Sequence, residues 1–131
     1  MPAPADRATL EAPLREALTE AGARNRPTLV SVTVPFACED PVATVFASRR
    51  AGEPFFCWEE PDRDLKLAAL GRVHEINSRG EDRFVEVAAD CAHRSGEAVT
   101  RGSGGFTHGP VWTGGFSFHH EGTAAGQAPD P

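Results

Sequence analysis

Four carboxylates fall within the run Glu59-Glu60-Pro61-Asp62-Arg63-Asp64. Such a density of acids at one turn suits a divalent cation, which takes oxygen ligands, or an acid/base pair. Arg63 supplies a local counter-charge, so a solvated acidic turn is the competing reading. His74-Glu75 begins like a zinc-protease motif, but the second histidine would stand at position 78, which is Ser78. Gly102-Ser103-Gly104-Gly105 invites a phosphate loop, yet no Gly-Lys-Ser/Thr follows, and Thr107 occupies the place of the last glycine of a dinucleotide fingerprint. A flexible loop is the simpler reading there. His119-His120, with His108 upstream, offers imidazoles for a transition metal, but adjacent strand residues point to opposite faces and rarely share one ion. No serine sits in a Gly-x-Ser-x-Gly elbow. These constellations assign no catalytic, cofactor-binding or metal-ligating residue.

The elements that would have to position such groups follow from apolar spacing. Leu10, Leu14, Ala17, Leu18 and Ala21 form one helical stripe, with Pro13 predicted to open the helix and Gly22 to end it. Thr28 to Val34 alternates, with Val30, Val32 and Val34 on one side, as in a half-buried strand. Asp40-Pro41 is an N-cap followed by a first-turn proline, and Val42, Val45 and Phe46 continue at helical spacing, with Gly52 as the predicted stop. Pro54 to Glu59 is short and aromatic on both sides, which predicts a strand covered on both faces. Pro61 to Asp64 predicts a turn, and Leu65 to Asn77 a strand or strand pair interrupted at Gly71. Phe84, Val87, Ala88 and Cys91 mark a third helix over Glu81 to about His93. Ser95 to Gly109 predicts a loop, Val111 to Phe118 a strand with a Gly114-Gly115 irregularity, and residues 121–131 a flexible tail after a unit of residues 1–120. No repeat of fixed period is present. The sum predicts an α+β fold, a mainly antiparallel sheet with about three flanking helices.

Composition narrows the class. A chain of 131 residues with 40% hydrophobic content suffices for one modest domain without disulfides. The net charge of -6 argues against nucleic acid or an anionic membrane as partner. No apolar run approaches the roughly 18 residues of a membrane span, and the N-terminus lacks the basic-then-apolar pattern of a leader, so a cytoplasmic location is expected. Cys38, Cys57 and Cys91 form no Cys-x-x-Cys pair and are expected as reduced, core-filling thiols.

Specific runs do carry a likeness. Pro54-Phe55-Phe56-Cys57-Trp58-Glu59-Glu60-Pro61-Asp62, then Leu70-Gly71, then Gly114-Gly115-Phe116-Ser117-Phe118 resemble the front part of the chorismate-using enzymes. The Phe-x-Trp-Glu pattern, and the Asp82-Arg83-Phe84 that follows, resemble the isochorismate synthases in particular. Anthranilate synthases carry a tryptophan-binding Leu-Leu-Glu-Ser motif where this chain has Phe56-Cys57-Trp58-Glu59-Glu60, and a salicylate or anthranilate synthase component is the alternative within the family. Cys57, Ala69 and His119-His120 depart from the usual pattern.

The resemblance implies a fold of two packed, mainly antiparallel sheets flanked by helices, of which this chain would supply about the first third. It implies conversion of chorismate to isochorismate for menaquinone or catecholate-siderophore synthesis, with Mg²⁺, a lysine as base on the attacking water and a glutamate as acid on the leaving hydroxyl. Those groups belong to the family's part beyond the Gly-Gly-Phe-x-Phe strand, so none transfers to a residue here. Lys66, the sole lysine, lies in Asp64-Leu65-Lys66-Leu67, which does not match the catalytic lysine's setting. The chain is therefore expected to be inactive alone, with no cofactor of its own. Its expected partners are a separate C-terminal half, or a second copy through an exposed sheet edge. A non-catalytic interaction module and an unrelated sealed α+β domain are the competing readings. A closed core would mark the last of these, and an unpaired edge with an apolar face the first two.

Overall fold

Asp40 shows how locally the chain encodes its elements. Its side chain accepts a hydrogen bond from the Ala43 amide at 2.9 Å and Pro41 occupies the first helical turn, as the Asp-Pro pair predicts. The structure, a computed structural model, describes residues 7–102 and 108–118. Within them the order is α1 (Arg7–Ala23), β1 (Val30–Thr33), α2 (Pro41–Ser48), β2 (Phe55–Glu60), a 3₁₀ turn (Pro61–Arg63), β3 (Leu65–Leu70), α3 (Arg83–Glu97) and β4 (Val99–Gly102). This is the predicted α+β class with three helices. The predictions at Ser103–Thr107, at His119-His120 and for the tail lie outside the described residues.

The strands form two pairs. β2 and β3 run antiparallel over six residue pairs, from Phe55 opposite Leu70 to Glu60 opposite Leu65. The Gly71 amide donates to the Pro54 carbonyl at 2.8 Å, which makes that pair a hydrogen-bonded one. Alternation then turns the backbone N–H and C=O groups of Phe56, Trp58 and Glu60 toward β3, and those of Phe55, Cys57 and Glu59 away from it. Gly71, at φ +76°, ends β3 at the predicted interruption. The second half of the predicted strand, to Asn77, is irregular.

β1 and β4 run parallel over four pairs, with Val30 beside Val99 and Val32 beside Arg101. β4 lies inside the stretch predicted to be a loop. Only Val99 is large and apolar in Val-Thr-Arg-Gly, and the pairing that makes it a strand comes from the far end of the chain. Gly102 closes this ladder at φ +93°, and a Cβ there would run into the Thr33 carbonyl.

α1 packs on β1 and β4. It begins at Arg7 and passes through Pro13 without ending, so Pro13 costs one internal hydrogen bond rather than opening the helix. At the other end the left-handed residue is Asn25, at φ +52°, three positions past Gly22. Of the predicted stripe only Ala17 is buried, because the two-stranded ladder beneath is narrower than the stripe; Leu10, Leu14 and Leu18 remain exposed. α2 stops at Ser48 on the extended backbone of Arg49, and Gly52 serves the turn that follows.

α3 begins two residues later than predicted and runs on to Glu97. The segment 111–118, predicted as a strand, lies irregularly across α3, where no strand among the described residues offers it a ladder. Trp112 Nε1 donates to Ser95 Oγ at 2.8 Å, the Phe116 ring rests 4.5 Å from Phe84, and Arg83 Nη2 donates to the Ser117 carbonyl at 3.2 Å.

The interior is small. Among the described residues only Ala17 and Val99 are buried apolar side chains, joined by Arg83. Phe55 and Trp58 on β2 are exposed, which corrects the expectation of a strand covered on both faces: α2 packs mainly against β3 and reaches β2 at Phe55 through Phe46, while Trp58 on the other face stays half exposed. Cys38, Cys57 and Cys91 are free and half-buried rather than core. No described helix is long and apolar enough to cross a membrane.

Candidate functional site

The acidic run folds as the end of β2 and the 3₁₀ turn that follows it. Pro61 fixes the first turn residue, and Asp64 takes the left-handed conformation at φ +49°, its amide donating back to the Pro61 carbonyl at 3.2 Å. Glu59, Glu60, Pro61, Asp62 and Arg63 line a shallow depression at this corner.

The carboxylates there do not converge. Glu60 receives the Trp58 indole N–H at 3.0 Å and the Arg63 guanidinium at 3.4 Å, so it is already engaged on two sides. Glu59 stands across from Lys66 on β3, on the opposite face of the hairpin from Glu60. Among the described residues no group of three His, Cys, Asp or Glu side chains is arranged to hold a metal ion. The donor set does not fit Mg²⁺, which demands near-ideal octahedral oxygen geometry. The turn is a solvated acidic corner with its own counter-charge.

The other constellations disperse as well. Glu75 is occupied by Arg72 and by the Asn77 amide at 3.0 Å, while His74 packs edge-on against Trp112 at 5.9 Å. Among the described residues, aromatic ring contacts fall in three separate places. Phe55 meets Phe46 at 5.0 Å under the Arg49 guanidinium, Phe84 meets Phe116 beside Arg83, and Trp112 meets His74. No single aromatic pocket results. Lys66 is exposed on β3 with Glu59 as its cross-strand neighbour, in no enclosed site.

Two arrangements were not legible in the sequence. Arg83 is the one buried charged residue among those described, with its guanidinium donating to the carbonyls of Gly80 and Ser117 and stacked 4.3 Å over the Phe84 ring. It clamps the segment after β4 to the start of α3. The second is a charged network in which Glu20 of α1 accepts from Arg24 at 3.0 Å and from Arg101 of β4. Arg24 also donates to the Glu97 carbonyl, and Arg26 pairs with the Glu97 side chain at 3.0 Å. The hydrogen bond from Arg101, and then that from Arg24, hold the Glu20 carboxyl below its ordinary value of 4.5. Both arrangements join elements far apart in the chain. The Asp82-Arg83-Phe84 triplet was the only advance signal for either.

A family model described as "Chorismate binding enzyme" matches residues 16–129. It spans β1 through Phe118, and so includes every run quoted for the likeness. No curated protein and no solved structure matches the chain.

Proposed function

Because the chain belongs to the chorismate-binding enzyme family, we propose that it is the N-terminal scaffold portion of an isochorismate synthase, inactive by itself. The observation that carries this reading is the combination of the family match with the state of the acidic corner. The Phe-Phe-Cys-Trp-Glu-Glu-Pro-Asp run builds a strand and turn, and none of its carboxylates is poised beside a base, a metal set or an enclosed cavity. Its residues act as framework.

Isomerising chorismate requires a group to deprotonate water, a group to protonate the departing hydroxyl, and a site that excludes bulk solvent. In this reading those groups and the Mg²⁺ that accompanies them come from polypeptide other than the residues described here. Strand edges left open among the described residues, and the exposed Leu10, Leu14 and Leu18, are consistent with layers that another segment or chain completes. A role as a non-catalytic partner for a separate catalytic half is the second reading, favoured by the same exposed surface. Salicylate synthase and anthranilate synthase components remain alternatives of the same chemistry class.

The test is direct. The purified chain with chorismate and Mg²⁺ should form no isochorismate, and co-expression with a polypeptide carrying the catalytic half of a family member should restore turnover. Turnover by the chain alone, abolished by Lys66→Ala, would overturn the proposal. Formation of anthranilate or salicylate by the reconstituted pair would move the assignment to that subfamily.

A further inference from the structure

β2 is an edge strand with a self-complementary edge. Its outward backbone groups belong to Phe55, Cys57 and Glu59, three positions symmetric about Cys57. On the described residues β2 pairs with β3 alone, so no strand occupies its outward edge; α2 packs mainly over β3 and touches β2 at Phe55 through Phe46. Phe55 is 42% exposed and Trp58 52% exposed on this strand. Such an edge is a template for another extended chain.

We propose that the occupant is β2 of a second copy of this chain, paired antiparallel about a two-fold axis perpendicular to the sheet at Cys57. A two-fold contact uses the same patch on both partners. An axis of this orientation keeps each face of the hairpin on its own side, which requires the register to centre on a residue rather than between two residues. Centred on Cys57, the register places Phe55 opposite Glu59 of the second copy, Phe56 opposite Trp58, and Cys57 opposite Cys57. All three outward-facing positions then lie in hydrogen-bonded pairs, and the result is a four-stranded sheet in the order β3-β2-β2-β3.

Charge selects this register. The Arg49 guanidinium lies 4.4 Å over the Phe55 ring, so a cation already stands beside the position that faces Glu59 of the other copy. The two-fold repeats this Arg49–Glu59 encounter on the other side of the axis. Aromatic Phe56–Trp58 pairs flank the axis on the opposite face, where cross-strand aromatic pairs stabilise an antiparallel ladder. A register centred on Trp58 would instead set Cys57 against Glu59 and leave Phe55 opposite Pro61, which has no N–H to give.

Sedimentation equilibrium of the full chain tests this. The mass should rise from 14.0 kDa toward twice that value with concentration. Arg49→Glu and Glu59→Arg should each weaken dimerisation by about tenfold, since symmetry counts each rim ion pair twice. The double reversal should restore it. Cys57→Pro should give a folded monomer, because proline is tolerated on an edge strand where its missing N–H faces outward. With Cys38 and Cys91 changed to serine, a short bis-maleimide should alkylate Cys57 of both chains and so link them, since the two Cα atoms would stand about 5.5 Å apart. A monomer at every concentration up to the solubility limit would overturn the proposal. So would a dimer that survives Cys57→Pro or ignores both charge reversals, because it would use another surface.

Discussion

Glu20 on α1 and Arg101 on β4, 81 positions apart, form a side-chain ion pair that fastens the first helix to the last strand. Arg101 shares its face of the parallel ladder with Val30, Val32 and Val99, so the pair sits at the margin of the small apolar contact around Val99 and Ala17. The electrostatic joint and the core therefore hold the same two elements.

This joint makes stability depend on acidity in one direction. The folded protein holds the Glu20 carboxyl below its ordinary value, so the contribution is fully present above that value and is lost as pH falls through the lowered one. Thermal midpoints recorded from pH 6 downward should fall on the acid side of 4.5, and Glu20→Gln should flatten that acid limb while lowering the midpoint at pH 6. An identical acid limb in the variant would show that other carboxylates govern it.

Arg83→Met keeps the apolar stem and removes the donors to Gly80 and Ser117. Two charge-assisted hydrogen bonds to carbonyls are lost from a buried site, and the expected cost is about 2–3 kcal/mol. Amide exchange should accelerate over 111–118 first, with α1 and β1 unaffected. Uniform acceleration across the chain would place Arg83 in the global core instead of at a local clamp.

Asp40→Ala removes the cap at the start of α2 and should cost about 1 kcal/mol, whereas Asp40→Asn should be nearly neutral. Chemical denaturation separates the two. Equal loss in both variants would point to charge at this helix start rather than to the hydrogen bond.

Mg²⁺ should leave the thermal midpoint of the isolated chain unchanged, because a ligand stabilises a fold only by binding it and the described carboxylates form no site. A rise that Asp62→Asn abolishes would show that the acidic corner holds the ion after all.

Local chemistry made some elements readable and left others hidden. The cap at Asp40, the strand at Phe55–Glu60, the turn after it and the interruption at Gly71 depend on neighbours within a few residues, and each stands where the sequence placed it, to within a residue. β4 did not, because Val-Thr-Arg-Gly becomes a strand only through a partner at Val30–Thr33. Phe116 and Phe118 misled in the opposite sense: their alternation is strand-like, but the segment rests on α3 through Trp112, Phe116 and Arg83. The stripe on α1 was read correctly as apolar, yet only Ala17 of it is buried, since periodicity reports which side chains share a side of a helix and not how wide the surface beneath it is. At the acidic corner, the sequence showed the carboxylates, and only the geometry showed Glu60 committed to Trp58 and Arg63.

Val30 lies beside Val99 in the parallel ladder, with α2, the hairpin and α3 all emerging between them. During synthesis the first helix and β1 leave the ribosome long before β4, the second strand the helix rests upon, has been made. At about 5–20 residues per second the interval lasts several seconds. Throughout it Ala17 stands uncovered among Leu10, Leu14 and Leu18, which stay exposed even after folding; the whole stripe is then an apolar ridge on a nascent chain, a natural substrate for chaperones that hold newborn polypeptides, while the capped helix and hairpin downstream need no such waiting.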